Sequence, residues 1–271
     1  MFVKSQIKSK SVGNVRIFEI MGNFSGDFVY QAESAMKKVL RNNLRKNVLF
    51  NAADMSTIDE TGVAAILNQT VLMNKCVLLS PDEEVRNRFQ TRDVAHRMLC
   101  IGDPIDATYA LADELAASPL DGMYEAEKRR HIRLGTVLPL EFVFETQKGK
   151  PEEGYAVVTN LSEGGLYAEF INSRVEDEMR RSIDPYDLKF LQIKLFLEND
   201  LVIDGRGKLV HGHFSDGGFG LEFYGFAPEI QGIVREWIEK HVTAKAMIAR
   251  NKNLKNGGNA FRGEGSGGRN Q

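Results

Sequence analysis

The sequence predicts an α/β N-terminal domain followed by an antiparallel six-stranded β-barrel with a terminal helix. Three observations lead there. Residues 10–117 alternate short apolar strands with helical stripes, which is the order of helices packed on a sheet. Residues 137–223 hold six strand-like runs separated by turn residues, which is the order of a small barrel or sandwich. Between them, Ser118-Pro119-Leu120-Asp121-Gly122 breaks every periodicity and marks a boundary.

Residues 2–8 and 12–20 alternate in the strand manner around the turn pair Gly13-Asn14. Over residues 27–45, Phe28, Ala32, Ala35, Met36, Val39, Leu40 and Leu44 recur at three and four, which predicts a helix with one apolar face. Val48-Leu49-Phe50 is a buried strand. Val63, Ile66, Leu67, Thr70 and Val71 form a second helical stripe, and Val77-Leu78-Leu79 a further strand. Helices are expected over 83–92 and 106–115. Strands are then expected over 137–145, 154–159, 165–170, 190–197, 201–210 and 218–223. Their turns are Lys148-Gly149, Glu198-Asn199-Asp200 and Asp216-Gly217. Pro228 suits the first turn of a closing helix with Ile230, Ile233, Val234, Trp237 and Ile238 on one face. Residues 243–271 hold six Gly and little apolar content beyond Leu254, so a disordered basic tail is expected there.

Composition narrows the function classes. The 271 residues carry a net charge of -2, so no whole-molecule field draws the chain to nucleic acid or anionic lipid. Cys76 and Cys100 are the two cysteines, without a CxxC, which excludes a disulfide framework and a thiolate metal site. Cys76 sits in an apolar run and is expected buried. The N-terminus lacks a basic start followed by an apolar stretch, and no apolar run approaches 18 residues, so a cytoplasmic chain with no membrane span is expected. No base–nucleophile pair is evident. His96, His131, His211, His213 and His241 show no HExxH spacing. His211 and His213 could share a strand face, with no third ligand near them in sequence. The expectation is a protein that binds and does not catalyse, with no metal and no cofactor.

Two polar clusters stand out in the C-terminal half. Lys128-Arg129-Arg130-His131-Ile132-Arg133 precedes the first barrel strand, and Asn160-Leu161-Ser162-Glu163-Gly164-Gly165 lies between two later strands. Each alone reads as a solvated charged linker or a plain turn. Together they offer donors to one ligand. Arginine presents a planar fork that suits phosphate oxygens and the O6/N7 edge of guanine. Asn160 and Ser162 are short polar residues at a turn, and Gly164 and Gly165 permit close approach. A doubly anionic guanine dinucleotide fits that inventory.

Residues 125–242 resemble the PilZ domain, the bacterial cyclic di-GMP receptor module. Its signature is RxxxR followed by D/NxSxxG, matched here by Arg129 and Arg133 and by Asn160, Ser162 and Gly165. The resemblance implies that Arg129 and Arg133 grip phosphates and guanine faces. It implies that Asn160, Ser162 and Gly165 contact a guanine or the adjacent phosphate. Arg130 is an additional arginine beside them. The implied ligand is cyclic di-GMP.

In the N-terminal half, Asp59-Glu60-Thr61-Gly62-Val63 lies between a strand and an amphipathic helix. Asp59 is placed to cap that helix and Glu60 to complement its dipole, and good capping alone accounts for both. The order of elements over residues 10–117 also resembles a STAS domain, the anti-sigma-factor-antagonist type. The family pattern at this loop is Asp-Ser-Ser/Thr-Gly, with the first Ser phosphorylated. The sequence departs there, since Glu60 stands at the modified position. A carboxylate cannot be phosphorylated and carries about one charge where phosphoserine carries ~1.5–2. Residues 59–62 therefore read as an altered phospho-switch loop beside a protein-docking surface.

The resulting expectation is a STAS-like domain over 1–117, a linker over 118–127, a PilZ-type domain over 128–242 and a tail over 243–271. Nucleotide binding would order the arginine arm and fix the orientation of the N-terminal domain, which binds an unidentified protein partner. A nucleotide-independent scaffold for motility or surface machinery, or a sigma-cascade antagonist, are the alternatives.

Overall fold

The computed structural model describes residues 4–13, 15–41, 47–71, 73–90, 98–112, 133–146, 148–182, 190–198, 201–211 and 217–257. The expected linker over 118–127, Arg129 and Arg130, the histidines His96, His131 and His213, the Asn199-Asp200 turn pair and residues 258–271 lie outside them. One compact unit spans residues 1–226, and residues 227–271 form a second.

The first half of the larger unit is an α/β layer. Its strands are β1 (Gln6–Val12), β2 (Val15–Phe24), β3 (Asn47–Asn51), β4 (Met55–Ile58), β5 (Lys75–Leu79) and β6 (Leu99–Ile101). Its helices are α1 (Asp27–Arg41), α2 (Glu60–Thr70), α3 (Glu83–Gln90) and α4 (Pro104–Ala110). The sheet order is β1-β2-β3-β5-β6, with β4 pairing β2. β1 runs antiparallel to β2, whereas β2 pairs parallel with β3 and β4. The β3–β5 and β5–β6 pairs are parallel too. Flanked on both edges, β2 is buried at all but two positions, as a central strand covered on both faces must be.

Strand alternation sends successive side chains to opposite faces. Phe18, Ile20, Val48, Phe50, Cys76 and Leu78 pack with Val29, Ala32, Met36, Val63 and Ile66 of the helices. Val15, Ile17, Leu49, Val77 and Leu79 point the other way. They join Ala107 and Leu111 at α4, and Val137, Val157 and Ile171 of the second half, in one buried cluster.

The second half is a closed antiparallel barrel. Its strands are β7 (Arg133–Glu145), β8 (Pro151–Ser162), β9 (Gly165–Phe170), β10 (Phe190–Glu198), β11 (Leu201–His211) and β12 (Gly218–Tyr224). Neighbours run β10-β11-β12-β9-β8-β7 and return to β10, which leaves no free edge. Phe142, Phe170 and Phe219 meet inside at centroid separations of 4.8–5.9 Å. Val137 and Val157 sit on the outer side, against the N-terminal sheet. A helix, α5 (Ser173–Ser182), follows β9. A Cβ on Gly154 would strike both the Phe142 ring and Val175 Cγ1, so α5 also reaches the barrel core.

Several expectations need correction. β4, β6 and α5 had not been expected. The first two are four and three residues long, too short to show a period. α5 has only Val175 and Met179 as its large apolar residues among many charges. Val71, assigned to the buried stripe of α2, is the C-cap and is exposed. The second unit carries α6 (Pro228–Gly257). Residues 243–257 are therefore helical where a disordered tail had been expected. Their run Ala244, Lys245, Ala246, Met247, Ile248, Ala249, Arg250 is built from strong helix formers, and composition alone hid it. Within α6 the Trp237 and His241 rings stack at 3.9 Å, one turn apart. No described helix is long and apolar enough to cross a membrane.

Candidate functional site

The β7–β8–β9 end of the barrel gathers the described motif residues. Leu134, Leu161 and Leu166 stand opposite one another across the three strands, and all three are buried. Alternation then turns the Asn160 and Ser162 side chains to the outer face. The Arg133 Cα stands opposite Ser162, and Gly135 opposite Asn160. Ser162 in turn faces Gly165, and Asn160 faces Tyr167. Asn160 is exposed and Ser162 half-buried.

Two details differ from the sequence reading. Asn160 and Ser162 lie in β8 itself, and the turn proper is Glu163-Gly164, because both residues have ladder partners in β7 and β9. Arg133 likewise begins β7 and is not part of a free arm. Of the arginine cluster, it alone falls among the described residues.

The glycine of the motif has a structural reason of its own. A Cβ on Gly165 would run into the main-chain carbonyl of Leu221 in β12. Neither Gly164 nor Gly165 has a positive φ, so close packing and not backbone freedom demands a glycine at 165. Ser162 Oγ donates to the Gly165 carbonyl over 3.0 Å, and the Phe223 N–H donates to the Gly164 carbonyl over 2.9 Å. The turn is thus tied to β12 and presents a rigid rim.

At the other end of the chain, Asp59 caps α2. Its Oδ1 accepts from the Gly62 N–H at 2.7 Å and its Oδ2 from the Gly26 N–H at 3.1 Å. These donors, that of Gly62 foremost, hold the Asp59 carboxyl below the usual carboxylate range. Gly62 is required because a Cβ would lie 2.6 Å from the Phe24 carbonyl and 2.8 Å from Ile58 Cγ1. Glu60 and Thr61 are exposed beside this capped turn. Arg88 Nη1 donates to the Ile58 carbonyl over 3.0 Å just before it. Sequence reasoning had placed the cap correctly and had missed both Gly26 and Arg88, whose partners lie 33 and 30 residues away.

The two candidate regions are joined by a polar seam that the sequence did not disclose. Asn51 Nδ2 donates to the Ile171 carbonyl over 2.8 Å. Asn172 Nδ2 donates to Asp54 Oδ2 over 2.8 Å, and Arg174 Nε lies 3.3 Å from Asp54 Oδ1. Glu19 Oε2 accepts the Ser173 N–H at 2.7 Å. Lys10 Nζ stands 3.4 Å from Glu19 and 3.5 Å from Glu176. Glu19 is only 3% exposed, and burial of a carboxylate is tolerable because it is so paired. The helical signals for α5 were present. Asn172 Oδ1 caps it by accepting from the N–H of Arg174 at 2.8 Å, and Arg180 pairs with Glu176 at 2.7 Å.

A closed antiparallel barrel carrying a polar rim, joined to an α/β layer with a capped helix start, is the class of architecture the site belongs to. No family model matches the sequence, and no curated protein matches it. Among solved structures, the chain is similar to the Bacillus subtilis inhibitor of motility MotI/DgrA, at 15% identity and TM-score 0.33. That match covers 48% of this chain and 57% of the other, a little over half of its length. It is also similar to the anti-sigma factor antagonist SpoIIAA in its unphosphorylated form, at 15% identity and TM-score 0.32, over 39% of this chain and 94% of that one. A third likeness is to the PilZ domain with c-di-GMP of YcgR from Escherichia coli, at 14% identity and TM-score 0.30, over 44% and 98%.

Proposed function

We propose that the chain is a cyclic di-GMP-binding effector, whose PilZ-type barrel takes the nucleotide and whose STAS-like N-terminal half contacts a protein partner. One observation supports the reading: the Cα atoms of Arg133, Ser162 and Gly165 stand in one row across β7, β8 and β9, with Asn160 two residues before Ser162 in β8. An arginine position, an exposed amide and a hydroxyl able to accept suit the phosphates and guanine edges of a doubly charged dinucleotide. Arg129 and Arg130 precede β7 by four and three residues and supply the rest of the donor set. The chain acts by binding and not by catalysis.

The partner surface is the start of α2. Exposed Glu60 and Thr61 stand there on a loop that Asp59, Gly26 and Gly62 hold in place. Glu60 supplies a fixed negative charge where the family pattern places a phosphorylatable serine, so the surface is permanently charged and needs no kinase. This disfavours the sigma-cascade alternative.

The deciding experiment is calorimetric titration of the full chain with cyclic di-GMP, with GTP as control. Saturable heat with the dinucleotide alone is expected. Arg129→Ala combined with Arg133→Ala is expected to weaken binding at least tenfold. Equal heats for both nucleotides, or unchanged affinity in the double variant, would reject the site and leave the scaffold reading standing.

A further inference from the structure

We infer that residues 171–174 are a latch through which the nucleotide rim of the barrel is mechanically coupled to the capped loop over residues 59–62. The inference rests on the nucleotide reading above for its ligand and replaces a flexible arm with a packed connection.

The route is continuous. Gly165 opens β9 beside the rim, and β9 runs six residues to Phe170, about 17 Å at strand rise. At its far end three successive residues each grip the N-terminal half. Ile171 gives its carbonyl to Asn51, Asn172 gives its side-chain amide to Asp54, and Ser173 gives its N–H to Glu19. Arg174 adds an ion pair to the same Asp54 and a second to Glu152 of the barrel. Asp54 leads directly into β4, which ends at Ile58, next to Asp59. Its own carbonyl accepts the Gly22 N–H at 2.9 Å, so Asp54 is also anchored to the central strand. A strand paired on both sides transmits a shift along its axis better than it absorbs one, because packed elements move between discrete arrangements.

Asp54 is the place to cut. Asp54→Ala removes the acceptor of Asn172 and the partner of Arg174 while leaving the cap of α5 intact, since that cap uses Asn172 Oδ1. The full-length wild type and Asp54→Ala are compared by hydrogen exchange read by mass spectrometry, with and without saturating cyclic di-GMP, and by calorimetry on the same samples. Without nucleotide, the variant is expected to exchange at least threefold faster both along β9 and over residues 59–62. With nucleotide, the wild type is expected to slow exchange over residues 59–62 at least threefold. The variant binds with unchanged affinity but loses that protection. Protection in both proteins, or in neither despite binding heat, overturns the latch. If neither protein gives binding heat, the nucleotide reading falls and the nucleotide-free comparison decides the latch. Faster exchange at both ends then supports it, and faster exchange confined to residues 52–56 and 172–176 overturns it.

Discussion

The side-chain amide of Asn51 donates to the main-chain carbonyl of Ile171 across 120 residues of sequence, in a buried bond of 2.8 Å. Around it, Leu49, Val77 and Leu79 of the N-terminal sheet share a cluster with Val137, Val157 and Ile171 of the barrel. A sheet with two apolar faces needs two covering layers. Here α1 and α2 cover one face, and the barrel together with α4 covers the other.

That arrangement predicts joint unfolding. Leu79→Ala, at a fully buried position in the shared cluster, is expected to cost about 2–5 kcal/mol. The calorimetric trace of residues in both halves should stay a single transition that moves down as a whole. Two transitions, with one unmoved, would show that the halves melt independently.

Glu19 accepts the Ser173 N–H and stands by Lys10 inside the seam. Glu19→Ala leaves that N–H buried without an acceptor, at a cost of about 1–3 kcal/mol. Glu19→Gln retains an acceptor and should lose less. Urea midpoints of the two variants measure the difference, and equal losses would contradict the role given to the hydrogen bond.

Gly62 and Gly165 both face main-chain carbonyls, of Phe24 and Leu221. Gly62→Ala and Gly165→Ala are each expected to destabilise by about 1–3 kcal/mol. For Gly165 this holds in the absence of any nucleotide. A Gly165→Ala protein as stable as the wild type, by thermal denaturation, would contradict the packing account.

The Asp59 carboxyl is held low by the N–H groups of Gly62 and Gly26. A depressed folded pKa stabilises above the unfolded value, about 4, and the gain disappears as pH falls through the folded value. Asp59→Ala should therefore cost about 1 kcal/mol at pH 7. The gap between variant and wild type should narrow below pH ~4. A gap that is constant with pH would point to something other than the carboxylate.

Burial pushes the Cys76 thiol up to about 12 and the Cys100 thiol up to about 11, the latter partly offset by the Arg86 charge. The thiolate is the reactive form. Neither cysteine should be labelled quickly by a disulfide reagent at pH 8 in the folded protein, and both should react once it is unfolded. Rapid labelling of Cys76 in the native state would contradict its burial.

Much of the fold was legible because it was written in local periods. The stripe Ala32, Met36, with Val39 and Leu40 beside it, marked α1, and Val48-Leu49-Phe50 marked β3. The six barrel strands announced themselves by alternation and turn chemistry. The Asp59 cap was legible for the same reason, since its main acceptance from Gly62 spans three residues. What escaped was short or charged. β4 and β6 hold too few residues for a period, and α5 buries only one narrow stripe.

The sequence by itself therefore determined most of the strand and helix segments and the Asp59 cap of α2, because both depend on neighbours a few positions apart. Only the tertiary structure decided that Arg133 stands opposite Ser162, that Gly165 yields to the Leu221 carbonyl, and that Glu19, Asn51 and Asp54 close on residues 171–174. Those pairings join positions from 29 residues apart, for Arg133 and Ser162, to 154, for Glu19 and Ser173. Register and burial set them, and both exist only once the sheet and the barrel have packed against each other.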